Sequence, residues 1–141
     1  MQKNAKSRRK DAEKAAVWFA YKNFNAVAHV KSIQTKWQRV DIFGADVASK
    51  DSTGAVTYIQ VTAGQDSALN ARKHKLEKYP WHSTDRVILA QLKQRNEIVN
   101  ARKKEWFFKI WEYKLKNGQR IWELWSNPIL IPREWFSSFK K

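Results

Sequence analysis

Residues 39–64, RVDIFGADVASKDSTGAVTYIQVTAG, hold the side chains best suited to chemistry. The stretch reads as strand, turn, strand. Residues 40–49 alternate, residues 50–54 are all turn formers, and residues 55–63 return as a β-branched and aromatic run. Side chains two apart share a face of a strand, so Gln60 and Thr62 point one way and Ile59 and Val61 the other. Asp46 follows a Gly-Ala break near the middle of the first strand, and a hairpin across residues 50–54 brings it close to Gln60. A carboxylate, a carboxamide and a hydroxyl then converge on one patch of a sheet. Oxygen donors of this kind suit a hard cation that polarises a phosphate and sharpens an attacking water. Gln and Thr are also ordinary strand residues, and an Asp in a strand is often an edge or turn residue, so the remaining elements have to supply the context.

The chain has 141 residues and no cysteine, which fits one domain over residues 1–141 with neither a disulfide framework nor a thiolate metal site. No apolar run reaches membrane-span length, and the start, MQKNAKSRRK, lacks the apolar segment of a signal peptide. A cytoplasmic protein with no membrane partner and no organic cofactor is expected. The charge is one-sided: 28 Lys and Arg against 13 Asp and Glu give a formal +15. Such an excess repels itself and does not stabilise a fold; a polyanionic partner accounts for it. Nucleic acid ranks above an anionic membrane surface, because no strongly amphipathic basic helix stands out.

In chain order, residues 5–24 read as a helix with Ser7 as a candidate N-cap and an apolar stripe of Ala12, Ala15, Ala16, Phe19 and Ala20. Glu13 lies beside that stripe, where an i to i+4 pairing with Arg9 is the ordinary alternative to a ligand role. Residues 25–33 alternate as the first strand and carry His29, for which no metal-ligand partner falls at useful spacing. Asp41, five residues before Asp46, is read as structural or as a loop anchor. Residues 66–78 form a basic helix with Asp66 or Ser67 as N-cap and Pro80 as its stop. Residues 86–92, RVILAQL, suit a strand buried on both faces, and residues 93–104 a loop with a short helical piece. The result is an α/β sandwich with a mixed β-sheet flanked by helices.

Residues 105–141 differ in texture. Asn117-Gly118 favours a two-residue hairpin turn, which pairs Tyr113 with Trp122 and Trp111 with Leu124 on one aromatic face. This C-terminal Trp-rich β-hairpin calls for a cover, either residues 132–139 with Trp135, Phe136 and Phe139, or a second copy of the chain meeting Trp111, Trp122, Trp125 or Trp135.

Glu13 on a helix, Asp46 on a strand, and Gln60-Val61-Thr62 after thirteen intervening residues, followed by a basic helix, resemble the PD-(D/E)XK nuclease superfamily. The short chain, its basicity and the Arg9-x-x-x-Glu13 pattern look most like the archaeal-type Holliday junction resolvases. The resemblance covers residues 6–92. It implies a restriction-endonuclease-like fold and Mg²⁺- or Mn²⁺-dependent hydrolysis of branched DNA by a homodimer. Asp46 matches the motif aspartate, Gln60 the following acidic position and Glu13 the helix glutamate; these three are the metal ligands the resemblance implies. Gln60 binds through an amide oxygen without charge. Thr62 stands where the motif has lysine, so the cation would come from Lys73, Lys75 or Lys36. Arg8, Arg9, Lys10, Ser32, Lys36, Arg72, Lys73 and Lys75 are expected to line the nucleic-acid surface. A related restriction- or repair-type nuclease, or a non-catalytic nucleic-acid binder that kept the fold, are the alternatives; Thr62 favours the latter.

Overall fold

Alanines at every third or fourth position let helix α1 (Ala5–Asn23) lie close on a sheet, and the computed structural model shows that packing. It describes residues 5–34, 36–63, 66–95 and 105–132. Ala12, Ala15, Ala16, Phe19 and Ala20 are each at most 1% exposed. Ser7 lies inside the helix and does not cap it. At the other end the Asn23 side-chain amide donates to Phe19 O at 3.2 Å and Asn25 turns the chain with φ 53°.

The strands follow as β1 (Ala26–Lys31), β2 (Ile33–Gln34), β3 (Arg39–Val40), β4 (Val47–Asp51) and β5 (Val56–Thr62). After helix α2 (Asp66–Glu77) come β6 (Arg86–Arg95), β7 (Glu105–Lys116), β8 (Gln119–Leu124) and β9 (Ile129–Leu130). The main sheet runs β1-β4-β5-β6-β7-β8, with β9 also on β7. Among the described residues only β5 and β6 pair in parallel, and α2 makes the crossover that a parallel pair requires. The fold is therefore a mixed, mostly antiparallel sheet flanked by two helices. Among the described residues no helix is long and apolar enough to cross a membrane.

The two faces of the sheet carry separate apolar clusters. Val47, Ile59, Val61, Ile88, Ala90, Phe108 and Ile110 pack with α1. Val87 and Leu89 pack with Leu69 and Leu76 of α2. β6 thus buries both faces, as its apolar run implies. It also continues to Arg95, so residues 93–95 are strand where a loop was expected; the rest of that stretch, 96–104, lies outside the described residues.

Residues 40–49 are not one strand. Val40 pairs with Ile33 in a separate two-stranded sheet, and the chain then makes a tight turn at Ile42–Ala45 before β4 begins. Ile42 and Ala45 exchange both backbone hydrogen bonds, at 3.0 and 2.9 Å, across Phe43 at φ 51° and Gly44 at φ 84°. Two left-handed residues make a turn that alternation of side chains does not reveal. A Cβ at Gly44 would also stand only 2.9 Å from the Tyr79 ring, so glycine lets the chain beyond α2 close on the turn.

The β7–β8 turn at Asn117-Gly118 has φ 52° and 79° and pairs Tyr113 with Trp122 and Trp111 with Leu124. The cover that the structure shows was not among those expected: it is α2. Trp111, Tyr113 and Trp122 pack against the α2 cluster of the same chain, and Trp125 packs on Phe19 and Phe24 beneath α1. Helix α2 crosses from β5 to β6 on that face, which is why it reaches the hairpin. Trp135, Phe136 and Phe139 lie outside the described residues.

Candidate active site

Asp46 is held by β5 on one side and by the backbone just after β1 on the other. Its N–H donates to Ile59 O at 2.9 Å, and its own carbonyl accepts from Ser32 N at 2.7 Å. Its carboxylate Oδ2 accepts from Gln60 Nε2 at 2.7 Å and from Val61 N at 2.9 Å. Asp46 is 0% exposed and Gln60 1%. A buried carboxylate is costly unless donors satisfy it, and hydrogen bonds to a charged acceptor are the strong kind. The expected meeting of Asp46 with Gln60 is thus observed, although Asp46 sits at the foot of the Ile42–Ala45 turn rather than within a strand.

Gln60 Nε2 also donates to Val61 O at 2.9 Å, while its Oε1 is buried and accepts no hydrogen bond among the described residues. An orphaned amide oxygen of this sort costs on the order of 1–3 kcal/mol. Thr62, 3% exposed, follows on the same face, and across the parallel ladder it stands in register with Gln91. Gln91 repeats the pattern: its Nε2 donates to Asp66 Oδ1 at 3.0 Å and its Oε1 is buried without a donor among the described residues. Lys93 Nζ lies 3.4 Å from the same Asp66 oxygen. These bonds hold the Asp66 carboxyl below its ordinary range, the Gln91 hydrogen bond foremost and the Lys93 charge next. A polar row, Asp46, Gln60, Thr62 and Gln91, thereby runs from the foot of the Ile42–Ala45 turn across β5 and β6 beneath α2. Gln91 and Lys93 escaped the sequence reading, yet Gln91 is the one uncharged polar residue in the RVILAQL run.

The remaining expected residues are placed as follows. Glu13 is half-buried on α1, which packs on the Ile59 and Val61 face, whereas Gln60 and Thr62 point to the other face. Lys75 is ion-paired with Asp41, just before the turn that ends at Asp46, so Asp41 does act as an anchor. Lys73 turns the other way, 3.7 Å from the Trp111 ring centroid, and burial lowers its pKa. Trp111 is on β7, three strands from β4, which at ordinary strand spacing is about 14 Å. Lys36 lies over the Trp37 ring at 5.3 Å. Lys10 is exposed, Arg72 is half-buried, and Ser32 serves Asp46 through its backbone. The side chains of Arg8 and Arg9 lie outside the described residues. His29 is exposed and bonded to the Tyr21 hydroxyl at 3.1 Å.

For a hard divalent cation the donor set fits in kind: a carboxylate and an orphaned amide oxygen, with no sulfur or imidazole. Among the described residues no group of three or more Asp, Glu or His side chains stands ready to hold a metal unaided. Waters and substrate oxygens would complete the shell, as is usual for Mg²⁺. No protein-family model, no curated protein and no solved structure matches this chain.

Proposed function

We propose that the chain is a metal-dependent endonuclease for branched DNA, of the Holliday junction resolvase kind, on a restriction-endonuclease-like sheet. The observation that carries this is the buried pairing of Asp46, at the foot of its turn, with Gln60 of β5, with an amide oxygen left over. Asp46 and Gln60 would hold Mg²⁺ or Mn²⁺, with waters and substrate oxygens as the further ligands; Glu13, on the α1 side of the sheet, is not placed beside Gln60. The ion, when bound, supplies Lewis acidity toward the phosphate and a more acidic bound water. Asp46 keeps its carboxylate oriented through Gln60 and Val61 N. Lys75, the best placed of the three expected cations, opposes negative charge developing on the phosphate. The net charge of +15 draws the polyanion to the surface. Paired cuts in a junction of twofold symmetry call for two equivalent sites, hence a homodimer.

A second reading is favoured by Thr62 in place of the motif lysine and by the full burial of Asp46: a nucleic-acid binder without catalysis. Nicking of a four-way junction, with duplex and single strand of the same sequence as controls, separates the two. The nuclease predicts paired, Mg²⁺-dependent nicks in the junction. Binding to all three substrates without cleavage in Mg²⁺ or Mn²⁺ would leave the binder.

A further inference from the structure

The residues between β1 and the Asp46 turn build a small ribbon of their own. β2 and β3 pair as Ile33 with Val40 and Gln34 with Arg39, in a sheet separate from the main one. Both ends of the ribbon are rooted at the candidate site. Ser32 N donates to Asp46 O at 2.7 Å on one side, and Val40 runs through the Ile42–Ala45 turn into Asp46 on the other. From Ser32 to Trp37 is five residues, so Trp37 stands no more than about 18 Å of chain from that root.

The outer part of the ribbon is apolar and open to water. Trp37 is 85% exposed, Ile33 61% and Val40 45%. An indole held in solvent forgoes the apolar burial that makes tryptophan useful to a fold. A cation lies beside it, with Lys36 Nζ 5.3 Å from its ring centroid, and the local sequence, residues 25–40, contains Lys31, Lys36 and Arg39 but no Asp or Glu. An exposed aromatic ring among cations is what single-stranded nucleic acid requires, with ring for base and cation for phosphate. Intact duplex offers no open base face to such a ring.

We propose that Trp37, carried on the β2–β3 ribbon, stacks on an unpaired base within a few nucleotides of the phosphate at Asp46, and so selects DNA with opened or single-stranded bases. The location relative to a scissile bond rests on the nuclease reading above, but the stacking does not require cleavage. Binding is therefore measured in EDTA, by fluorescence anisotropy, on a fully paired duplex, a forked duplex and a single strand of the same sequence. Trp37→Ala should weaken binding to the fork and the single strand by about five- to a hundredfold, the range for loss of one base–aromatic stack. Its affinity for paired duplex should stay within about twofold of the parent, and Trp37→Phe should recover most of the loss. Because Trp37 is exposed, both variants should keep the parent's circular dichroism and melting temperature, which shows that the fold is intact. An equal loss on paired and unpaired DNA, or no loss on either, overturns the proposal. So does a parent protein that binds none of these DNAs but binds anionic vesicles in a Trp37-dependent way. A chain that shows the Trp37 selectivity and yet never cuts DNA in Mg²⁺ would instead overturn the nuclease reading alone.

Discussion

At the scale of single residues, Asp46 and Gln60 invite opposite substitutions. Asp46→Asn keeps an oxygen that can accept from Val61 N but loses the charge a cation needs. Junction cleavage should fall more than about a hundredfold, the range for loss of one charge-stabilising group, while affinity for the junction holds or rises; undiminished cleavage sinks the assignment. Gln60→Glu sets two carboxylates where a 2.7 Å hydrogen bond now lies. Like charges so close and buried disfavour each other, so the variant should melt below the parent without metal. Mg²⁺ should then raise its melting temperature by more than it raises the parent's, because binding to the folded form alone stabilises it. The pairing itself was legible in the sequence: turn formers at 50–54 close a hairpin, and the period of two puts Gln60 on the inner side. The setting of Asp46 was not, since Phe43 takes a left-handed φ that only its neighbour Gly44 hints at. Gln91 is hidden because an apolar run reads as uniform core, and its partner Asp66 lies 25 residues before it.

At the scale of elements, α2 decides which cation serves the site. Residues 73 and 75 lie on nearly opposite sides of a helix. Lys75 points to Asp41 and the Asp46 turn, and Lys73 to the hairpin aromatics. Lys75→Ala should lower turnover with little change in DNA affinity. Lys73→Ala should leave turnover alone and cost about 0.5–1 kcal/mol of stability through the lost cation–π contact, read from urea unfolding. If both variants turn over like the parent, Lys75 is not the missing cation. The start of α2 gives a pH test. Asp66 has a carboxyl pKa held below the ordinary 3.8, so its contribution is present above that value and fades as pH falls through the lower folded value. Asp66→Asn should flatten the acid limb of the unfolding curve followed by tryptophan fluorescence, and an unchanged limb would disprove the anchor. The helices and the buried β6 strand were readable from period, whereas the cap read at Ser7 falls inside α1. That α2 would roof the aromatic hairpin was not, because nothing local to residues 105–130 names its cover.

At the scale of the molecule, the excess of 15 positive charges should govern association. Neutralising six to ten phosphates releases counterions, so DNA affinity should drop on the order of a thousandfold or more between about 50 and 200 mM salt. A flat response, measured by anisotropy, would mean that the charge serves some other partner.

The parallel seam between β5 and β6 bears on the order of assembly. Every other ladder among the described residues is antiparallel, and the β4–β5 and β7–β8 pairs close through short turns. The seam closes only after α2 has been laid across the sheet, and such non-local closures are the slow part of folding. Two antiparallel halves would then form early and zip together late, with Gln60, Thr62 and Gln91 along the join. Contacts made after the transition state set the unfolding rate and leave the folding rate nearly untouched. The polar row that would hold the ion is then also the clasp of the molecule, and a bound ion would lengthen the life of the native state by slowing its opening.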